Sequence, residues 1–393
     1  MDISEFEAER YFLCLAASVL NGQKSPDMPR DVTVERLEEI ASRQNMIPML
    51  YAALSSLMKQ PEGEAWQKLR KRFLSDCMRS EIQTSECQKL ITYLCANGVK
   101  LLPLKGCVLK DLYPYAYLRV MNDVDMLYEG VSAQELSELM EKAGYMPEQT
   151  SSDNHDVFHK RPVMSVELHR TLLPEYSPYK SVLQDPFSKA VPDARTKNLF
   201  HMRPEELYIH IIIHAANHAE ESGMGIRTLG DVYLLNCKYA SSWDHEYIKS
   251  KLDNAGLAQF EQKLSSIAQS VFGENADLPP EYYLFFFRGR TYGAEHTTWE
   301  YMTDGGASRS GFILYRLFLP YKHMRKKYPV LNKAPVLLPV MWVHRVIDGM
   351  INRRGKMRAV FDHAKKIDND STVSTVKVMR DLGFYSKQKE RRQ

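Results

Sequence analysis

The stretch VKLLPLKGCVLKDLYPYAYLRVMNDVDMLY, Val99 to Tyr128, decides the fold. Before it, WQKLRKRFLSDCMRSEIQTSECQKLITYLCANG repeats apolar residues every three or four positions and stops at Asn97-Gly98, the pattern of a helix and its C-cap. There the period changes. Val99 to Leu104 is short, apolar and followed by Lys105-Gly106, which predicts a buried strand turning sharply into a short helix near 107–113. Val124 to Tyr128 predicts a second strand.

Working outward, a helix is expected over 132–143, with strands at His155–His159 and Met164–His169. Such alternation argues for sheet and helices sharing one core. From Pro204 (PEELYIHIIIHAANHAEE) the helical period returns and largely persists, with proline-bearing breaks at 279–280, 320, 329, 335 and 339. The expected class is α+β: a small mixed sheet with helices, embedded between helical N-terminal and C-terminal regions. The boundaries fall at 1–97, 98–200, 201–290 and 291–393, the last ending in the basic tail KQKERRQ, read as solvated and frayed.

Asp123 and Asp125 alternate with Val124 and Met126. On a strand both carboxylates project to one face while the apolar pair enters the core. Two anions about 5 to 7 Å apart share a proton or a cation, and a divalent metal is the economical reason to place them so. Asp368-Asn369-Asp370 repeats the spacing inside KKIDNDST without apolar alternation and reads as a loop. A third carboxylate, Glu167, lies between Val166 and Leu168 on the last expected strand. Taken alone it is an exposed strand residue. With the other two it would hold two Mg²⁺ about 3.5 to 4 Å apart, with Mn²⁺ as substitute.

Lys105 and Gly106 form a tight turn at a helix start, where backbone N–H groups approach phosphate, and Arg119 stands four residues before Asp123. This order of Leu104-Lys105-Gly106, Tyr113-Pro114, Arg119 and Asp123-Val124-Asp125 resembles the uncharacterised bacterial nucleotidyltransferases of the DNA polymerase beta-like superfamily. Glu167-Leu168-His169 looks like that family's third-carboxylate strand. HAANHAEESGMGIRTLGDVYLL resembles its helical segment, giving His214, His218, Arg227 and Asp231. The likeness covers roughly residues 35–345 and is densest over 100–235. It implies a nucleotidyltransferase domain at 98–200, completed by 201–290, that moves a nucleoside monophosphate from an NTP to an acceptor oxygen. Lys105, Arg119 and Arg227 would then balance triphosphate charge, with Asp231 fixing Arg227. The wider superfamily carries a Gly-Ser turn where this chain has Gly106-Cys107, so phosphate binding there rests on backbone and Lys105.

Simpler readings stand beside these. His210, His214 and His218 share a helix face at i, i+4 and i+8 as satisfied histidines, without the Glu of a protease zinc motif. Arg227 and Asp231 are also i, i+4 and form an ordinary helix pair worth about 0.2 to 0.5 kcal/mol when exposed. Arg345, Arg353, Arg354, Lys356 and Arg358 read as a solvated helix face. The six cysteines read as buried, reduced thiols. With 52 basic against 49 acidic residues the net charge is +3, so a small molecule, peptide or protein suits the acceptor better than a long nucleic acid. The acidic start MDISEFEAER lacks the basic lead-in of a secretory signal, which predicts a cytoplasmic protein, and the longest apolar run, Ala334–Val343, is half a membrane span. Two rivals remain: a nucleotide-binding protein without catalysis, and a helical interaction protein.

Overall fold

A computed structural model describes residues 3–57, 61–148, 154–174, 177–221, 223–274, 277–287, 309–319, 321, 324–325, 328, 330–351 and 369–384. The chain divides into two compact units, one of residues 1–217 and 225–280, the other of 218–224 and 281–393.

Unit one opens with helices α1 (Glu7–Leu20), α2 (Val34–Gln44), α3 (Ile47–Ser55) and the 33-residue α4 (Glu64–Ala96). Local chemistry sets their ends. Thr33 caps α2 by accepting from the Arg36 N–H at 3.2 Å, and Asn45 closes it in the left-handed region. At the far end of α4, Asn97 is followed by Gly98 at φ 87°, which reverses the chain into β1 (Lys100–Pro103) as the sequence predicts.

Next come α5 (Gly106–Leu109), β2 (Val124–Glu129), α6 (Ala133–Lys142), β3 (Met146–Pro147), β4 (His155–Lys160) and β5 (Met164–His169). The five strands form one mixed sheet in the order β1-β2-β5-β4-β3. Within it β2 and β5 run parallel, while β1–β2, β5–β4 and β4–β3 are antiparallel. The class is α+β, with a mixed sheet between helical flanks.

One sheet face is the core. Val124, Met126, Tyr128, Phe158, Met164, Val166 and Leu168 pack with Cys87, Leu90 and Leu94 of α4 and with Leu136 and Met140 of α6. Val124, Met126, Val166 and Leu168 are fully shielded, so each contributes about 1.5 to 3 kcal/mol of apolar burial. Period two then forces Asp125 and Glu167 onto the opposite face.

After β5 the chain passes through α7 (Pro186–Lys189) and a two-stranded ribbon, β6 (Val191–Pro192) with β7 (Phe200–His201). Sequence reasoning missed this ribbon, since two-residue strands leave no period to detect. It enters α8 (Pro204–Glu221), α9 (Ile226–Tyr239), α10 (His245–Asn254) and α11 (Ala258–Gly273). The helix expected near 107–113 ends at Leu109 and tightens into a 3-10 turn over Lys110–Leu112. Pro114 explains the stop, because the residue before a proline is pushed toward extended backbone.

Unit two holds helix α12 (Pro280–Phe287), which begins at Pro280 where the break at 279–280 was expected, and helices Arg309–Leu317, Leu338–Ile351 and Asn369–Asp381. Three sequence readings are corrected there. Asn369 and Asp370 begin a helix rather than lying in a loop, with Asp368 outside the described residues. Pro339 does not break a helix but occupies the first turn of Leu338–Ile351, where its missing N–H costs nothing. Arg345 is not a solvated charge: it donates to the Arg316 carbonyl at 2.6 Å. Pro320, Pro329, Arg353, Arg354, Lys356, Arg358 and the basic tail lie outside the described residues. The cysteines are free, with Cys87 and Cys95 buried but Cys237 exposed, contrary to a uniformly buried set. No helix among the described residues is long and apolar enough to cross a membrane.

Candidate active site

The carboxylates gather because of strand register. β2 and β5 pair in parallel with Asp125 directly opposite Glu167. Asp123 immediately precedes β2 and is half-buried. β4 joins β5 in a hairpin that sets His155 opposite His169, so His155, Glu167 and His169 share the sheet face of Asp125.

Asp125 is the hub. Its side chain is 6% exposed, and its Oδ1 accepts from Lys105 Nζ at 2.8 Å and faces His169 Nε2 at 3.0 Å. Burial works to raise its pKa, yet the Lys105 ammonium and His169 hold it well below the usual carboxylate range. Asp123 behaves oppositely. Burial first, then the charges of Asp125 and Glu167, push its pKa from 3.8 up to about 6. Two acids two residues apart are thus tuned in opposite directions, because only Asp125 has captured a cation.

Lys105 has φ 44° and ψ −114°, a left-handed backbone that L side chains rarely adopt. Such geometry costs about 1 to 3 kcal/mol and persists where the surroundings over-determine it. Here the Lys105–Asp125 ion pair helps hold it. Burial works to lower the Lys105 pKa, but Asp125 raises it, so the ammonium is kept. Gly106 has a steric reason to lack a side chain: a Cβ there would meet Arg119 Nη1 and Met121 Sδ, each at 3.0 Å.

Arg119 is closed on Asp231. Its Nε and Nη2 reach the two Asp231 oxygens at 2.7 and 2.8 Å, and Tyr113 Oη donates to the same carboxylate at 2.8 Å. Arg227 donates to the Val120 carbonyl at 2.9 Å. All of these are buried. They join the loop before β2 to α9, so Asp231, expected to orient Arg227, holds Arg119 in a bidentate pair. Gln83 on α4 reaches the Met121 carbonyl at 3.4 Å and the Val163 carbonyl at 3.3 Å from the other side. The backbone that delivers Asp123 is therefore clamped at 119, 120 and 121.

Of the α8 histidines, His214 and His218 are half-buried, whereas His210 is 1% exposed. Among the described residues neither ring nitrogen of His210 has a hydrogen-bond partner, and burial, reinforced by Lys105, pushes its pKa down to about 3. It is a neutral imidazole beside the charged centre, not the satisfied histidine expected from sequence.

Residues 30–273 match the sequence profile of a family described as uncharacterised nucleotidyltransferases. The protein belongs to this nucleotidyltransferase family. No curated protein is detectably similar to the nucleotidyltransferase in sequence. A solved structure described as an antigenic nucleotidyltransferase-like protein from Paracoccidioides brasiliensis is similar at 16% identity, covering 50% of this chain and 96% of that one. Its TM-score is 0.31, too low to bear on the site. The family match spans the sheet, the carboxylates and α8 to α11.

His155 and His169 had no role in the sequence reading. Their pairing depends on a hairpin closing between Lys160 and Met164, whereas the strand expected from sequence ends at His159, and pairing His159 with Met164 would set His155 opposite Leu168.

Proposed function

We propose that this nucleotidyltransferase moves a nucleoside monophosphate from an NTP to an acceptor oxygen and releases pyrophosphate. The observation that carries the reading is the register of Asp125 against Glu167 on parallel strands, with Asp123 two residues before Asp125. Asp125 and Glu167 on one face, with Asp123 just before β2, are oxygen donors that suit Mg²⁺, with Mn²⁺ as substitute; burial first, then the charges of Asp125 and Glu167, raise the Asp123 pKa, a cost that a bound cation would relieve. Bound there, two such ions supply charge neutralisation of the triphosphate and activation of the attacking hydroxyl.

The protein's own groups do the rest. Asp123 and Asp125 would hold both cations, and Glu167 would complete the acceptor-side one and accept the hydroxyl proton. Lys105 serves as a resident counter-ion, neutralising Asp125 until the substrate complex forms. Its ammonium is then free to turn from carboxylate to phosphate, a short swing from a strained backbone. Arg119, Arg227, Asp231 and Tyr113 keep the Asp123 backbone from shifting, which matters because about 1 Å of misplacement can cost a hundredfold in rate. The +3 net charge favours a small molecule, peptide or protein as acceptor.

The test is incubation of the protein with labelled ATP, CTP, GTP and UTP, Mg²⁺ or Mn²⁺, and cell extract. Transfer of label to one molecule with stoichiometric pyrophosphate is expected. NTP-dependent thermal stabilisation without pyrophosphate release would instead mean nucleotide binding without catalysis. Neither effect with any NTP would end the reading.

A further inference from the structure

We propose that His155, Glu167 and His169 form a binding site for a divalent transition-metal ion of the zinc and manganese class. The site shares Glu167 with the transfer centre and draws on His169, whose Nε2 also faces Asp125 Oδ1 at 3.0 Å, and the geometry of its own three donors carries it. Among the described residues these three present donor atoms all within 4.8 Å of one another.

The spacing suits one ion. Metal–nitrogen and metal–oxygen bonds to Zn²⁺ are about 2.0 to 2.2 Å, so two donors set tetrahedrally around it lie about 3.4 Å apart. His169 Nε2 is 3.5 Å from Glu167 Oε2, and His155 Nε2 is 3.7 Å from the same oxygen. The two rings face each other with centroids 4.9 Å apart. Both histidine nitrogens thus stand near the tetrahedral donor spacing from Glu167, and all three donors lie within 4.8 Å of one another.

The scaffold is rigid where it needs to be. Glu167 and His169 are two apart on one strand, and His155 is the ladder partner of His169, so backbone hydrogen bonds fix all three. The donor chemistry sets the class of ion. Mg²⁺ takes oxygen ligands, whereas imidazole suits Zn²⁺ and its transition-series neighbours, and two histidines with one carboxylate is a donor set with open positions. The opening faces water: His155 and Glu167 side chains are 23% and 24% exposed, while His169 is 6% exposed and anchors the floor.

The experiment uses the full chain, stripped of metal by chelation and titrated calorimetrically with Zn²⁺, Mn²⁺ and Mg²⁺ in separate runs. One equivalent of Zn²⁺ should bind at least about a hundredfold more tightly than Mg²⁺, with Mn²⁺ between. His155→Ala should weaken Zn²⁺ by more than about tenfold, since even an outer-shell partner is worth about 10- to 100-fold. His155→Gln should weaken it similarly. Because His155 is partly exposed, both variants should keep the wild-type melting point without metal but lose the rise that Zn²⁺ gives. His201→Ala, at an exposed His201–Asp193 pair, should leave Zn²⁺ affinity unchanged. Unchanged affinity in both His155 variants, or Zn²⁺ binding no tighter than Mg²⁺, overturns the site. A protein that binds Zn²⁺ through His155 yet transfers no nucleotide keeps this site and loses the transfer reading. One that transfers nucleotide while ignoring His155 in the titration does the reverse.

Discussion

Asp123→Asn and Asp125→Asn should move stability in opposite directions in the metal-free protein. The Asp123 carboxyl is shifted from 3.8 to about 6. At about 1.4 kcal/mol per unit, ionising it costs the folded state about 3 kcal/mol. The folded pKa is raised, so the protein is relatively stabilised below pH 3.8, where both states carry the proton. That advantage disappears as pH rises through 6. At pH 8 the Asn variant, which never ionises, should therefore be more stable by up to about 3 kcal/mol, shrinking to about half a kcal/mol at pH 4. Asp125 has the reverse sign: its pKa is depressed, so its charge stabilises above pH 3.8 and that benefit fades below it. Asp125→Asn leaves Lys105 and His169 facing an amide, and breaking a buried pair costs about 3 to 5 kcal/mol. With Lys105 20% exposed, the lower figure applies. Urea unfolding of chelator-treated protein at pH 8 and pH 4 measures all of this. Shifts of the same sign for both variants, or an Asp123→Asn gain as large at pH 4 as at pH 8, would refute the reasoning.

Other perturbations follow from the same geometry. Asp231→Asn strips Arg119 and Tyr113 of their shared acceptor and should cost about 3 to 5 kcal/mol by urea midpoint. A loss below 1 kcal/mol would mean the clamp is redundant. Glu167→Gln should lower kcat for nucleotide transfer by about a hundredfold or more while the KM for NTP stays within about threefold. Unchanged kcat with raised KM would contradict its acceptor-side role. His210→Phe replaces a buried ring whose nitrogens have no partners among the described residues, so the melting point should hold or rise, by about 1 kcal/mol of stability. A fall of more than about 2 kcal/mol would show that the imidazole has polar partners after all.

Much of the fold was readable because its signals are local. The switch from period 3.6 to a short apolar run at Val99 and the Asn97-Gly98 cap each act over a few residues, and the structure places α4 and β1 accordingly. What was missed depends on partners far along the chain. The β6–β7 ribbon is too short to show a period. The Asn369-Asp370 dipeptide looked like a turn by composition, yet it begins a helix whose later residues Val376, Val378 and Met379 are buried, so packing overrode local preference.

At the site, alternation placed Asp125 and Glu167 on one face without any structure, since a strand with buried Val124 and Met126 has no other face to offer. The charge balance on that face was not readable. From sequence the two aspartates form a mutually repelling pair, so that Asp125→Asn is expected to relieve strain. The structure sets the two apart. Lys105 lies twenty residues before Asp125, and only the antiparallel pairing of β1 with β2 brings its turn to the carboxylate. From sequence Arg119 and Arg227 are expected to meet a triphosphate, because charge is visible in a sequence and burial is not. Arg119 is 7% exposed with its guanidinium on Asp231, and a cation neutralised there has little field left to offer a substrate. On the proposed transfer reading, the phosphate-facing charge then falls to a residue whose partner can be replaced. Lys105 meets that condition, because the carboxylate it neutralises is one a metal would take over.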